Sequence, residues 1–306
     1  MDLATLFSVD DIVAVITGGG TGIGLTMARA LALNGARKVY ILGRRLDVLE
    51  AAAREHASLV PVRCDVTSKA DLQAAVDRVA AEVGYVNLVI ANSGTIGPGA
   101  RFDPTRSLAE LGAALFDGFA MPDMNDTLAV NVTGAFFTMT AFLDLLSAGN
   151  ANALQGGFGH PVTPAAVAAG VPAIQSHVLF TTSVSAFSRH WISAIPYLAS
   201  KAAIVQITKH ASTQLARFGI RVNAIAPGGQ SKNIVFPSDL ASVMMANRKP
   251  EEESMDDQLF IPAKRFGGDE EIAGAILYLA SRSGSYSNGS ILVADGGRLS
   301  VMSSSY

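Results

Sequence analysis

The sequence predicts an α/β protein: a doubly wound parallel sheet of about seven strands with helices on both faces. Three observations carry this expectation. Short apolar runs alternate with amphipathic stretches of helical period along the whole chain. The first run closes in the glycine-rich turn Thr17-Gly-Gly-Gly-Thr-Gly-Ile-Gly24, which opens a helix. No internal repeat and no second core of separate composition interrupts the series. Strands alternating with helices at this spacing imply right-handed β-α-β units and hence a parallel sheet.

The elements follow in order. Ile12–Ile16 reads as the first strand and Leu25–Asn34 as a helix stopped by Gly35, a natural C-terminal glycine. Lys38–Leu42 is the second strand, ending at Gly43-Arg44-Arg45, and Leu46–His56 reads as helix. Leu59–Arg63 is a third strand, closed by Asp65-Val66-Thr67-Ser68. Lys69–Val83 is amphipathic, and the strand Leu88–Ala91 runs into Asn92-Ser93-Gly94. Helices around Asp126–Leu146, Pro196–Phe218 and Asp269–Ser281 then alternate with strands at Val178–Thr182, Arg221–Ala226 and Ser290–Ala294. A single domain over 1–306 is expected, interrupted by long segments at about 95–122, 149–176 and 229–262. Segments of that length inside a compact domain are usually functional lids or mobile loops.

Composition narrows the function. Apolar residues make up 49% and charged residues 16%, enough for a sizeable core and unlike a disordered chain. A net charge of −3 lacks the basic footprint of nucleic-acid binding. Cys64 is the only cysteine, so no intrachain disulfide and no cysteine cluster for zinc or iron–sulfur can form. It reads as a buried small hydrophobe. His160, His177, His190 and His210 stand at no metal-ligand spacing, and no metal is expected. No basic-then-apolar leader is visible, and no apolar run reaches the roughly 20 residues of a spanning helix. A soluble, cytoplasmic protein with a small-molecule substrate and no membrane partner is expected.

The glycine turn is the first chemical signal. Gly18 permits the tight turn, while Gly22 and Gly24 let the backbone approach a pyrophosphate and the helix pack on its strand. Backbone amides from Thr21 to Ile23, at the positive end of the helix, suit phosphates. About 20 residues further on, where an acid for ribose hydroxyls commonly stands, are Arg44 and Arg45. A guanidinium there can form paired bonds to a 2′-phosphate, which favours NADP(H) over NAD(H), with Arg44 the first choice and Arg45 its alternative. The plain alternative is two solvated arginines opening a helix, where their charge mildly opposes the dipole.

Tyr197 and Lys201 fall at i and i+4 on one helix face. A phenol of pKa near 10 is a poor proton donor–acceptor at neutral pH, and a neighbouring ammonium favours its phenolate. Such pairs also arise by chance in many helices, so the surroundings decide. Ser183 follows the end of the Val178–Thr182 strand, where ligands of open α/β sheets bind. Asn131 lies in a helix although it is a poor helix former, which suits a residue that bends the helix or holds a water leading to Lys201.

These residues carry a resemblance. Over residues 12 to about 299 the chain resembles the short-chain dehydrogenases/reductases, which share a Rossmann-like fold. The matching segments are Thr17–Gly24, Cys64–Thr67, Ala91–Gly94, Asn131–Gly134, Thr182-Ser183, Tyr197–Lys201, Arg221–Gly228 and Asp295–Gly297. The resemblance implies that Tyr197 is the general acid of reduction. Lys201 then lowers its pKa and holds the nicotinamide ribose, Ser183 polarises the carbonyl and Asn131 anchors a relay water. It further implies that Asp65 meets the adenine amino group, Val66 packs nearby, and Asn92 and Gly94 border the adenosine ribose. Pro227 and Gly228 are expected along the nicotinamide.

There are departures. Ala91 and Ser93 differ mildly from the family's Asn-Asn-Ala-Gly pattern. One residue more than usual separates Ser183 from Tyr197, which leaves Ser185 as an alternative to Ser183. Lys232 stands where the family has a nicotinamide-binding threonine, with Ser231 beside it as a substitute. Trp191 and Gly229, with Ser185, are expected on the substrate side, Trp191 either shaping the mouth or packed under a loop. Met244–Met245 reads as a packing surface. Phe136, Phe137 and Met139 are either core or part of the helix-pair interface through which the family forms homodimers or homotetramers. The expected activity is NADP(H)-dependent reduction of a ketone or oxidation of a secondary alcohol on a small, moderately apolar molecule, as in secondary metabolism. Imine reduction, a non-redox cyclisation or isomerisation, and non-catalytic NADPH binding are the alternatives.

Overall fold

The computed structural model describes residues 2–229, 248–257 and 259–306. Seven strands form one parallel sheet: β1 (Val13–Thr17), β2 (Lys38–Gly43), β3 (Leu59–Arg63), β4 (Leu88–Ala91), β5 (His177–Thr181), β6 (Arg221–Pro227) and β7 (Ile291–Ala294). Their order is β3-β2-β1-β4-β5-β6-β7. The chain steps outward from β1 to β3, then returns to lay β4 on the other side of β1. That reversal opens a crevice beyond the strand ends of β1 and β4.

The alternation of side chains along each strand builds two cores. Ala14, Ile16, Ile41, Ile90, Leu179 and Ile225 face one way, against α2 (Gly22–Leu33) and the last helix, α11 (Asp269–Ala280). Val13, Val15, Tyr40, Val89, Val178 and Phe180 face the other. There they meet α4 (Lys69–Glu82), α7 (Ala135–Ala141), α8 (Leu143–Leu154) and α10 (Ile195–Leu215). Every residue of β1, β4, β5 and β6 is buried, as expected for strands covered on both faces. Cys64 lies in the second core with its thiol pushed up to about 12, chiefly by burial.

The helices differ from the expectation in two places. The single helix expected around Asp126–Leu146 is broken into pieces. α6 (Met121–Leu128) passes into a wide π-turn at Ala129–Gly134, then α7, and a fresh start at Leu143. The segments read as loops also carry helices. α5 (Leu108–Phe116) is closed at its start by the reciprocal bonds of Ser107 and Glu110, and α9 (Pro164–Ala169) by the Thr163 hydroxyl. Both are short and bury none of their residues, so no strong apolar period marks them. Of the 229–262 segment, residues 230–247 and 258 lie outside the described residues, and with them Ser231, Lys232 and Met244–Met245.

On α7 the aromatic residues separate. Met139 is core, Phe136 is 41% exposed, and the Lys69 ammonium sits 4.3 Å from the Phe137 ring centroid. No single helix among the described residues is long and apolar enough to cross a membrane.

Buried polar residues join the far end of the sheet. Asn223 in β6 bonds His177 Nε2 of β5 at 2.9 Å, donates to the Ser287 carbonyl at 2.9 Å and accepts the Ser290 N–H at 2.8 Å. Its replacement leaves those buried groups unpaired. Asn223→Ala is expected to lower unfolding free energy by about 2–4 kcal/mol, read as a lower urea midpoint.

Candidate active site

At the end of β1 the chain turns at Gly18 (φ 65°) and again at Gly22 (φ 55°), both in the left-handed region that favours glycine. Gly24 is required by space. A Cβ there would lie 2.3 Å from the Gly18 carbonyl and 2.5 Å from Asn92 Nδ2. The first turn of α2 has no side-chain cap from Thr21, so its amides are left to face the crevice. Asn92 fastens the turn: its amide donates to the Thr17 and Gly18 carbonyls at 3.0 and 3.4 Å. The Thr17 hydroxyl accepts the N–H groups of Asn92 and Ser93 at 3.0 and 3.1 Å.

A cavity of about 680 Å³ runs from this turn along the strand ends to Tyr197 and Lys201. Arg44 and Arg45 line its outer end, both exposed. Neither guanidinium is engaged in an ion pair among the described residues. Asp65, Val66 and Gly94 line it further in. Asp65 is oriented by bonds from the Thr67 N–H and hydroxyl at 2.9 and 2.7 Å. Pro227, Gly228 and Gly229 line the inner end with Ser183 and Ser185.

Ser183, Tyr197 and Lys201 meet at that inner end, while Asn131 lies buried behind the wall and does not line the cavity. The Ser183 hydroxyl accepts the Ser185 N–H at 3.1 Å and draws the Tyr197 phenol down in pKa. Both serines line the cavity, and of the two it is Ser183 that acts on the phenol's pKa. Tyr197 lies with its ring centroid 5.6 Å from Lys201 Nζ. That ammonium is buried and donates to the Thr181 carbonyl at 2.8 Å. Asn131 is buried in the π-turn, its Oδ1 accepting the Thr95 N–H and its Nδ2 donating to the Thr95 carbonyl, both at 2.7 Å. The same Nδ2 reaches Ser200 Oγ at 2.9 Å. A Cβ on Gly94 would sit 3.3 Å from Asn131 Oδ1 and 3.4 Å from Lys201 Nζ, so this glycine keeps the two within reach of the cavity.

The electrostatics differ from the simple expectation for the pair. Burial pushes the Tyr197 phenol up, opposed by the Ser183 bond. Burial brings Lys201 down to about 8. The phenol is held in a poorly solvated place, and the ammonium is spent on a carbonyl rather than on the phenol.

Trp191 lines neither this cavity nor a smaller one of about 200 Å³ beyond Tyr197; it stacks on His190 at 5.8 Å, while Ile192 and Ser193 line the smaller one. Ser200 went unnoticed in the sequence. It bridges Asn131 to the Tyr197 carbonyl, to which it donates at 2.7 Å. A serine in a helix interior, one residue before Lys201, was the available signal.

Two family models match the chain, one described as short chain dehydrogenase over residues 12–155, the other as enoyl-(acyl carrier protein) reductase over 161–298. The short-chain dehydrogenase/reductase SAT3 of Stachybotrys chartarum is 57% identical over 92% of this chain and all of its own length. The chain belongs to the short-chain dehydrogenase/reductase family. VdtF of Byssochlamys spectabilis, also a short-chain dehydrogenase/reductase, is 41% identical over 99% of this chain and 97% of its own. Among solved structures, a gluconate 5-dehydrogenase from Burkholderia cenocepacia in complex with NADP and tartrate superimposes with a TM-score of 0.72. It is 26% identical, covering 98% of this chain and 99% of that one. The protein is thus an oxidoreductase of this family.

Lys201 sets a pH test. Its folded pKa, about 8, lies below the ordinary 10.5, so between those values the unfolded chain binds more protons. The cost of burying the ammonium is full below pH 8 and is relieved as pH rises to 10.5. Lys201→Met removes that dependence. The stability of the variant relative to wild type is expected to fall by roughly 2–3 kcal/mol between pH 7 and 10.5, measured by urea unfolding.

Proposed function

We propose that this short-chain dehydrogenase/reductase is an NADP(H)-dependent carbonyl reductase or secondary-alcohol dehydrogenase acting on a small, moderately apolar molecule. The observation that carries the reading is the convergence of Ser183, Tyr197 and Lys201 at the inner end of a cavity that begins at the glycine turn, with Asn131 linked to their helix through Ser200.

The residues present fit a dinucleotide. Gly24 leaves no room for a Cβ, the uncapped first turn of α2 presents amides, and the cavity connects that turn to the tetrad. Gly18, Thr21, Gly22 and Ile23 would hold the pyrophosphate, and Asp65 and Val66 the adenine. Gly94 would border the adenosine ribose, with Asn92 acting mainly by fastening the turn. Lys201 would hold the nicotinamide ribose, and Pro227 and Gly228 would lie along the ring. Arg44, or Arg45, would take the 2′-phosphate, since a guanidinium matches a phosphate edge with paired bonds. The cofactor supplies the hydride; the protein supplies position and the proton.

In reduction, the raised pKa of Tyr197 keeps the phenol protonated at neutral pH, ready to donate to a carbonyl oxygen. Ser183, at the same end of the cavity as the phenol, polarises that oxygen. Lys201, held on the Thr181 carbonyl, places positive charge one helical turn from the phenolate that forms. Asn131 spans Thr95 and Ser200 and so fixes the wall behind Lys201. In oxidation the same phenolate takes the alcohol proton.

A panel of ketones with NADPH and NADH in parallel tests the reading by nicotinamide absorbance. Tyr197→Phe is expected to cut turnover about 10²–10⁴-fold while leaving NADPH binding unchanged. Full turnover in that variant would overturn it. Arg44→Ala is expected to raise KM for NADPH about tenfold or more, with KM for NADH unaltered.

A further inference from the structure

The smaller cavity beyond Tyr197 shares Ile96, Val184, Ser185, Tyr197 and Leu259 with the larger one. The phenol therefore stands at the junction of the two. With a dinucleotide along the strand ends, this smaller space is where a molecule reaching the phenol would extend. The rest of its wall comes from separate stretches of chain. Ser188, Ile192, Ser193 and Ala194 precede α10, and Met302 follows β7. Arg101 and Arg298 also line it, and both are engaged by other residues of the protein, so they belong to the wall. Of the large apolar side chains described, only Ile192 and Met302 line the smaller cavity without also lining the larger.

A short clasp fixes these two against each other. Ser188 and Ser304 pair in antiparallel fashion. The Arg189 N–H donates to the Ser303 carbonyl and the Ser305 N–H to the Phe187 carbonyl, each at 2.8 Å. The Phe187 and Tyr306 rings meet edge to face at 5.2 Å. On one side of the clasp the Ser193 hydroxyl donates to the Ser188 hydroxyl at 2.8 Å, which ties in the turn carrying Ile192. On the other, the Met302 N–H donates to the Arg298 carbonyl at 3.1 Å and the Ser304 hydroxyl to the Leu299 carbonyl at 3.3 Å. A methionine side chain fills irregular space, and this one is delivered to the cavity from a backbone tied down on both sides.

We propose that Met302 is a specificity-determining residue: with Ile192 it limits how large a molecule can stand at the Tyr197 phenol, and the clasp holds it in place. The proposal rests on the reaction proposed above and adds the size class of the substrate, a compact, largely hydrocarbon ketone or secondary alcohol. The volume, below that of drug-sized pockets, suits a molecule of about one ring. A hydrophobic pocket distinguishes ligands that differ by one methylene by roughly 10- to 200-fold, so removal of the thioether end is expected to be visible in selectivity.

The test compares 4-methylcyclohexanone with 4-tert-butylcyclohexanone, which differ only in bulk at the end remote from the carbonyl. Calorimetric titrations of the full chain are run with saturating NADP⁺, so that no turnover occurs. Wild type is expected to bind the methyl compound more tightly than the tert-butyl compound. Met302→Ala is expected to shift that ratio about tenfold or more toward the tert-butyl compound, while Met302→Leu, close in volume, keeps the wild-type ratio. NADPH affinity is expected to stay unchanged in both variants, because Met302 does not line the larger cavity. A merely structural role would weaken both ketones alike. An unchanged ratio in Met302→Ala therefore overturns the proposal, as does a wild type that binds neither ketone or prefers the larger. If Met302→Ala does not fold, Ile192→Ala carries the same expected shift and decides it. NADPH oxidation by the two ketones is scored separately. A shifted binding ratio without NADPH oxidation would count against the dehydrogenase reading and leave the size selection standing.

Discussion

Across the gap between the ends of β1 and β4, the Thr17 hydroxyl accepts two backbone N–H groups while the Asn92 amide reaches back to the Thr17 and Gly18 carbonyls. Strands on either side of a topological reversal have no connecting helix on the shared side, so their ends are free to part. These bonds hold them in register just where the sheet hydrogen bonding stops. The glycine turn then has one place to go, with Gly24 packed so closely that the neighbouring carbonyl leaves no room for a methyl group. Through that turn the direction of α2 and the outer mouth of the cavity are set.

A second buried polar set works at the other end of the cavity. Thr95, Asn131, Ser200 and the Tyr197 carbonyl form a chain of hydrogen bonds that ties α10 to the π-turn and to the segment after β4. A regular helix through Ala129–Gly134 would carry Asn131 on a different bearing. The wider turn is the conformation in which its amide meets both Thr95 and Ser200. Buried polar groups destabilise a fold unless each is paired, and here each amide group of Asn131 has a partner. The expensive member is Lys201, a cation buried against a single carbonyl.

The two sides of Tyr197 are built differently. The cofactor-sized side is made of strand ends and the turns that leave them, which the sheet holds rigidly. The other side is made of chain from distant places: residues 96 and 101 after β4, 184–194 before α10, and 298 and 302 after β7. The last residues of the chain clasp the middle group, with Ser188 paired to Ser304, the Arg189 N–H on the Ser303 carbonyl, and Phe187 against Tyr306. Variation in these segments can reshape this cavity without disturbing the sheet.

How much of this was legible in the sequence follows from the range of the interactions. Strand positions came out within a residue or two because strands buried on both faces are written as uninterrupted apolar runs. Tyr197 and Lys201 share a helix, and Ser183 and the glycine turn sit at strand ends, so local spacing offered them as candidates and their order along the chain singled them out. The break of the Asp126–Leu146 helix was not written locally: it answers to Thr95 and Ser200, 36 and 69 residues from Asn131. The direction of the Lys201 ammonium was likewise settled by a neighbour from another element, the Thr181 carbonyl. Arg101 and Arg298 stand nearly two hundred residues apart and carry no motif, so only the folded chain brings them to one cavity. Periodicity and turn chemistry act over a few residues and determined the sheet, its glycine turn and the placing of Tyr197 and Lys201 on one helix face. Burial, charge and the shape of the second cavity arise between segments, and the tertiary structure alone decided those.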